Sequence, residues 1–275
     1  MVSTSTIVTC VITLFVSLLL PLLVLVVFAV KCKKQGIVSA WLLGAAGFVV
    51  TQICIRLPIL TAVSKQSWFL EFSQNHLFLY SFSLAFTAGL FELVGRFAVA
   101  KLLRKNLTYR RSFAAGLGHG GIEAMVIIGL SYMNNLVYIA MINAGTFDAM
   151  LSQLPGEQAA SMEAIRVALL STSPAMFLMA GFERILTMVI HVALSLIVCW
   201  GVHTGKVGRC LLICLGIHTF IDLTAGISLL SGTVLSQTTT YLLIYAILTA
   251  VTVLSVLMIR NIRHRWQEVD YVQSI

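Results

Sequence analysis

Seven apolar runs divide this chain of 275 residues, and each is long enough to cross a lipid bilayer. A membrane-spanning helix needs about 20 predominantly apolar residues, and its backbone polar groups must pair within the segment. We expect such helices near residues 7–30, 37–63, 77–100, 112–142, 175–201, 209–231 and 239–260. The sequence therefore predicts an all-α fold, a polytopic bundle of about seven transmembrane helices that forms a single domain over residues 1–275.

The composition agrees with a membrane protein and argues against a soluble domain. Hydrophobic residues make up 59% of the chain and charged residues only 10%, whereas soluble domains carry about 25% charged residues. The net charge of +8 is compatible with nucleic-acid binding, but the basic residues lie in short blocks between apolar runs. We therefore expect the lipid bilayer as a partner and no nucleic acid.

The distribution of lysine and arginine predicts the direction of the chain across the membrane. Lys65 and Arg166 are the basic residues expected on one side. Thirteen of the 18 basic residues are expected on the other side: Lys31, Lys33, Lys34, Lys101, Arg104, Lys105, Arg110, Arg111, Lys206, Arg209, Arg260, Arg263 and Arg265. Because short loops rich in lysine and arginine stay in the cytoplasm, we expect the N-terminus outside and the C-terminus in the cytoplasm.

Ionisable residues inside the apolar runs bear on function. Residues four positions apart share a helix face, and the pairs with this spacing are Glu92/Arg96, His119/Glu123 and His218/Asp222. His191 adds a histidine in the fifth run. The depth of each residue follows from its distance to the basic end of its run, at a rise of about 1.5 Å per residue. On this count the polar groups of these residues lie at a common depth of about 10–20 Å. Because charge in hydrocarbon is costly, the sequence predicts a functional site within a core of about residues 77–231.

These residue types suit hydrolysis of a peptide bond, with or without a metal ion. A buried carboxylate can act as a general base for water, and an imidazole can orient that water or relay its proton. A second imidazole and a short acid can stabilise the oxyanion. The catalytic candidates are Glu92, Arg96, His119, Glu123, His191, His218 and Asp222, with Arg96 fixing the Glu92 carboxylate. His119, Glu123, His191 and His218 are also candidate zinc ligands.

Other polar groups in the spans receive a structural interpretation. Gln52 and Arg56 share a face of the second run, and we interpret both as structural. Adjacent Glu183 and Arg184 are expected in a buried ion pair rather than in the chemistry itself.

Small residues surround the first histidine of the site. The glycine-rich run 116–121 lacks the spacing of a phosphate loop. It either packs helices closely or admits an extended substrate to His119, and the sequence leaves both open. Cys210 and Cys214 share the face of His218, and we expect them as buried apolar residues, with zinc ligation as the alternative.

At these residues the chain resembles the YhfC family of membrane peptidases. The shared motifs are Phe91-Glu92-Leu93-Val94-Gly95-Arg96, Gly118-His119-Gly120-Gly121-Ile122-Glu123-Ala124, Glu183-Arg184 with His191, and His218-x-x-x-Asp222. The resemblance implies an intramembrane endopeptidase of a bacterial cytoplasmic membrane, of metal or glutamate type, that acts on a membrane-associated protein or peptide. Zinc is the cofactor that this resemblance suggests.

That family is in turn similar to the CAAX prenyl protease and bacteriocin-processing group, whose first motif is Glu-Glu-x-x-x-Arg. In this chain Phe91 replaces the first glutamate, which is the favoured base of that group. The resemblance therefore leaves Glu92 or Glu123 as the base, and we favour Glu123 because it shares a face with His119. His119 matches the middle histidine of that group, and the last motif matches His218 and Asp222.

Other functions remain open from the sequence. A proton-coupled transporter would use the same buried histidines and carboxylates as a relay. A b-type haem protein would use histidines of two helices as axial ligands. A catalytically inactive membrane scaffold derived from a protease is a further alternative.

Overall fold

The computed structural model describes residues 1–33, 36–230 and 236–273. Position 231, where the sixth expected span ends, and Lys34 of the first basic block lie outside these residues. The described residues form helices and no strands, and seven of these helices are long and apolar enough to cross a membrane. They are α1 (Thr4–Lys31), α2 (Ile37–Val63), α3 (Leu77–Asn106), α4 (Tyr109–Ala144), α5 (Pro174–Thr204), α6 (Val207–Ser228) and α7 (Gln237–Gln273).

The predicted all-helical fold with about seven spans is confirmed. Six of the seven expected apolar runs lie wholly on one of the helices found among the described residues, and the sixth run, 209–231, extends past the end of α6 at Ser228. Shorter helices cover Ser67–Asn75, Phe147–Leu151 and Gly156–Ser171 between the long ones. The direction in which the chain crosses the membrane stays a prediction.

Wider, π-helical turns interrupt the regular geometry of three of the long helices. They cover Phe15–Leu19 in α1, Val49–Arg56 in α2 and Ala124–Gly129 in α4. Such turns occur frequently at functional sites, because they change the direction in which side chains leave a helix. The turn in α2 contains Gln52, which bears on the candidate site.

The chain divides into two compact units. The smaller unit comprises Met1–Val24 and Glu123–Ile185, and the larger unit comprises Leu25–Ile122 and the described residues from Leu186 onward. In the smaller unit, the Phe177 carbonyl accepts hydrogen bonds from the Thr13 hydroxyl at 2.7 Å and the Tyr132 hydroxyl at 3.0 Å. The expectation of a single domain stays a prediction.

Glycines bring the backbones of α2 and α4 together in the larger unit. A Cβ atom added at Gly118 would lie 1.9 Å from the carbonyl oxygen of Trp41, and one added at Gly44 would lie 1.9 Å from that of Ala115. No side chain fits at such a distance, so both positions require glycine. Small residues at helix contacts are the usual means of close helix packing in membranes.

The same glycine run also packs against α5. A Cβ at Gly116 would lie 2.7 Å from Cα of Val192, and a Cβ at Gly120 would lie 2.8 Å from Cβ of His191. Of the two interpretations of this run, the structure therefore supports helix packing at Gly116, Gly118 and Gly120. The packing brings α5 close to the helix that carries His119.

Replacing Gly118 by alanine is expected to destabilise the protein. Overpacking of this kind costs about 1–3 kcal/mol or more, because α2 and α4 must move apart, and we expect the melting temperature in detergent to fall by about 5–10 °C. The matched control is Gly216→Ala, where no described atom lies within 4 Å of the added Cβ. That control should melt at or above the wild-type temperature, since alanine favours helix. An unchanged melting temperature for Gly118→Ala would contradict the tight contact.

Candidate active site

A single carboxylate forms the centre of the polar cluster in the larger unit. Glu92 of α3 is 4% exposed, and its Oε2 atom lies 2.9 Å from Nη2 of Arg96. The same oxygen lies 3.0 Å from Nε2 of His119 and 2.8 Å from Nε2 of His218. Charge-assisted hydrogen bonds of this kind are what allow a carboxylate to be buried.

A third imidazole completes the cluster. Nδ1 of His191 lies 2.5 Å from Nη2 of Arg96 and 3.7 Å from Oε2 of Glu92. A guanidinium can only donate, so His191 accepts at Nδ1 and carries its proton on Nε2. Its ring stacks on that of His119 at a centroid distance of 5.5 Å and meets that of His218 at 5.6 Å. Imidazoles from α4, α5 and α6 thus surround one carboxylate of α3.

Local sequence explains why these rings can approach so closely. Glu92 and Arg96 are one helical turn apart, which places both on the same face of α3. A Cβ at Gly89 would lie 3.4 Å from Cβ of His218, so the missing side chain allows α6 to lie against α3. Gly120 gives His191 the same kind of access to α4.

Asp222 connects the cluster to a more accessible region. Its Oδ2 atom lies 3.3 Å from Nδ1 of His218, close enough for an ion pair but not aligned as a hydrogen bond. The Asp222 side chain is 34% exposed, whereas that of His218 is 5% exposed. The pair therefore leads from the buried carboxylate towards the surface of the larger unit.

The amide of Gln52 is a contact that sequence reasoning missed. Its Nε2 atom donates to Oε1 of Glu92 at 2.9 Å and to the carbonyl oxygen of Ala88 at 3.1 Å. Its own Oε1 accepts from Nη1 of Arg56 at 3.3 Å. The structural interpretation of Gln52 is thus incomplete, since Gln52 holds the second oxygen of Glu92. The available signal was a buried amide four residues before an arginine, which resembles the spacing of Glu92 and Arg96.

Glu123 belongs to the smaller unit, where it forms an ion pair. Its Oε1 atom lies 3.4 Å from Nη1 of Arg184, and Nη2 of the same arginine bonds to Glu183. The predicted pair of Glu183 and Arg184 is therefore present. Glu123 is the last residue of the regular α-helical part of α4, one turn after His119.

The cysteines on the face of His218 behave as buried apolar residues. Cys210 and Cys214 are buried, free thiols. A Cβ at Gly201 would lie 2.6 Å from Cβ of Cys210, so this cysteine takes part in the contact between α5 and α6. These contacts support the packing role expected for Cys210.

The cluster has the residue types and spacing of a metal centre. Ligand atoms of Glu92, His119 and His191 lie within 4.8 Å of one another. Nε2 of His119 and Nε2 of His218 lie 3.0 and 2.8 Å from Oε2 of Glu92, and neighbouring ligands of a tetrahedral zinc ion are about 3.3 Å apart at bond lengths of about 2.0–2.1 Å. Two histidines and one glutamate are a known catalytic zinc set that leaves one position open.

Membrane-length helices around a buried glutamate–histidine cluster define a polytopic membrane protein whose polar centre is compatible with metal binding. Residues 16–244 match the family described as YhfC intramembrane metalloprotease, and the chain belongs to this family. The resemblance noted in the motifs is thereby confirmed, and the family description supports a hydrolase at a coarse level.

One curated relative comes from a bacterium. The uncharacterized membrane protein YhfC of Bacillus subtilis (strain 168) is 29% identical over 192 residues, which cover 70% of this chain and 73% of the relative. No solved structure matches. Together with the seven apolar helices of the described residues, this relative identifies an integral membrane protein of bacterial type. The likeness to the CAAX prenyl protease group stays a resemblance of motifs.

Proposed function

We propose that this protein is an intramembrane endopeptidase with Glu92, His119 and His218 at its reacting centre. The observation that carries the proposal is that the Nε2 atoms of two imidazoles contact Oε2 of the same buried carboxylate. Membership in a family described as intramembrane metalloproteases supports the same conclusion.

Glu92 is proposed as the general base. A water molecule that enters between Oε2 of Glu92 and the two Nε2 atoms replaces a histidine–carboxylate bond and lies within hydrogen-bonding reach of all three. Oε2 takes a proton as the water oxygen attacks the peptide carbonyl carbon. His119 or His218 then donates to the oxyanion, and the proton passes to the leaving nitrogen as the C–N bond breaks.

The sequence alone favoured Glu123 as the general base, but the contacts favour Glu92. Oε2 of Glu92 meets both histidines directly, whereas Oε1 of Glu123 is paired with Arg184. Both carboxylates contact a guanidinium, Glu92 that of Arg96 at 2.9 Å and Glu123 that of Arg184 at 3.4 Å, so the preference rests on the two histidines at Glu92. Glu123 stays the alternative candidate for this role.

Arg96, His191 and Asp222 are proposed to position the reacting groups. Arg96 bonds to Oε2 of Glu92 and to Nδ1 of His191, so it fixes the carboxylate relative to α5. Asp222 faces Nδ1 of His218 and orients that ring.

Zinc fits as the cofactor. When bound, it would supply Lewis-acid polarisation of the peptide carbonyl. Its ligands would be Oε2 of Glu92 and the Nε2 atoms of His119 and His218, since Nδ1 of His191 already accepts from Arg96. These are the atoms that act as base and donors in the metal-free route, so the two routes are alternatives. Asp222 would orient the ring of His218 through its Nδ1 atom, as carboxylates commonly do for ligating histidines.

Replacing Gln52 by leucine is expected to lower kcat about 10- to 100-fold with little change in KM. A hydrogen bond to a charged group contributes about 1.5–3 kcal/mol, and here it holds the proposed base rather than the substrate. Thr51→Val is the matched control, because the Thr51 hydroxyl bonds to the Gly47 carbonyl of its own helix. Equal effects of the two variants, or a change in KM alone, would show that Gln52 does not position Glu92.

The proposal can be tested without knowledge of the natural substrate. Purified full-length protein is reconstituted into liposomes with a pool of membrane-spanning peptides, and new N-termini are labelled and identified by mass spectrometry. We expect wild type to generate new termini within the apolar segments and Glu92→Gln to generate none. Proton-driven uptake of solutes without new termini would instead support the transporter.

A further inference from the structure

We propose that a second site, at the basic end of the larger unit, binds the phosphate group of an anionic phospholipid. A cavity of about 510 Å³ lies there, between the start of α4 and the ends of α1 and α7. We call it the basic pocket, and its lining includes Phe28, Tyr109, Arg110, Phe113, Arg263 and Trp266. It is separate from the Glu92 cluster, because the two share no lining residue.

Two positive charges enter the basic pocket from different helices. Arg110 lies in the first turn of α4, and Arg263 lies near the end of α7. Guanidinium groups match phosphate in shape and charge, and two of them at one cavity favour an anion over a neutral group.

One lining residue, Trp266, also carries a buried donor without a described partner. Trp266 is 1% exposed, and its Nε1 atom has no hydrogen-bond partner among the described residues. A buried N–H group left unpaired costs about 1–3 kcal/mol, so an acceptor oxygen on a ligand would relieve that cost. The lining residues thus include one with an unpaired donor and two cations, a set that is suited to a phosphate ester.

Aromatic rings form the remaining walls. The rings of Phe28 and Phe113 lie 5.1 Å apart, and those of Tyr109 and Trp266 lie 6.3 Å apart at 73°. Such walls give a free phosphate ion nothing to contact, but they accommodate the glycerol and upper acyl carbons of a lipid. The ligand that matches both parts is amphiphilic.

The position of the pocket along the helices agrees with a lipid headgroup. α4 begins at Tyr109, and the basic residues Arg260, Arg263 and Arg265 follow the apolar run of α7, so the pocket lies where apolar runs give way to basic residues. Tryptophan and tyrosine concentrate at this level of a membrane. Arg110 and Arg263 are among the thirteen basic residues that the sequence predicts for the cytoplasmic side, where anionic lipids attract basic segments.

The test is a titration of the detergent-purified full chain with short-chain phosphatidylglycerol, short-chain phosphatidylcholine and inorganic phosphate, followed by native mass spectrometry. We expect phosphatidylglycerol to bind more tightly than the other two. The double variant Arg110→Gln/Arg263→Gln should weaken its binding about 30-fold, since each arginine near an anionic surface contributes about 1 kcal/mol. The matched control is Arg104→Gln/Arg265→Gln, which removes the same charge from exposed positions outside the pocket.

Trp266→Phe keeps an aromatic ring but removes the N–H donor, so it should weaken phosphatidylglycerol binding several-fold even if the double variant does not fold. Equal affinity for the two lipids, or equal loss in both double variants, would overturn the proposal. Binding of inorganic phosphate as tightly as phosphatidylglycerol would overturn the lipid assignment.

Discussion

Substitution of Glu92 by glutamine is expected to reduce peptide cleavage by about 10³-fold or more. General acid–base catalysis contributes about 10²–10⁴-fold, and glutamine cannot accept the proton of the attacking water. The amide keeps the size of the side chain and can still accept hydrogen bonds from Arg96, His119 and His218 through its oxygen. The loss should therefore appear in kcat, with the melting temperature in detergent changed far less than for Glu92→Ala, which leaves the Arg96 guanidinium buried without its carboxylate.

Glu123→Gln is the matched control for this experiment. It makes the same chemical change one helical turn after His119, but the carboxylate that it removes is paired with Arg184. We expect this variant to retain substantial cleavage activity. Full activity in Glu92→Gln together with complete loss in Glu123→Gln would assign the base to Glu123 and contradict the proposed role of Glu92.

Loading the protein with zinc is expected to give about one ion per chain, and single ligand substitutions should abolish this binding. Oε2 of Glu92 and the Nε2 atoms of His119 and His218 supply the proposed ligands. Removal of any one leaves too few donors for a stable site, so His119→Ala, His218→Ala and Glu92→Gln should lose the ion during desalting. The measurement is elemental analysis of purified protein, with an absorbance scan of each sample.

His191→Ala distinguishes between the possible ligand sets. Because Nδ1 of His191 accepts from Arg96, we expect this variant to retain zinc, although its activity should fall. His203→Ala, at the far end of α5, should retain both zinc and activity. Zinc loss in His191→Ala would place that ring among the ligands. If wild type binds no zinc, the chemistry must rest on side chains alone. If it contains iron and shows a Soret band, the haem protein is supported instead.

The sequence predicted the helices and most of the convergence at Glu92. Run length alone defines a membrane span, because the bilayer fixes how many apolar residues are needed. Four-residue spacing fixed the partner of Glu92 as Arg96 and that of His218 as Asp222, and both contacts are present. Counting depth along each span correctly placed His119 and His218 near one level, where both now contact Glu92.

Contacts between distant segments were beyond the reach of the sequence. The hydrogen bond of Arg96 to His191 joins residues that no helical spacing relates, and it decides which nitrogen of that ring carries the proton. Gln52 is a neutral amide, a type that usually only packs, and the π-helical turn that holds it has no sequence signal. The division into two units, with Glu123 paired to Arg184, likewise depends on tertiary packing.

The most direct test of the central claim is to follow the oxygen of water into the cleaved peptide. Wild-type protein in liposomes is incubated with membrane-spanning peptides in water enriched in oxygen-18, beside Glu92→Gln, and the products are weighed by mass spectrometry. Hydrolysis at the Glu92 site predicts one heavy oxygen in each new carboxyl terminus from wild type and no product from the variant. Labelled products that form equally in both samples, or no products in either, would contradict a peptidase centred on Glu92.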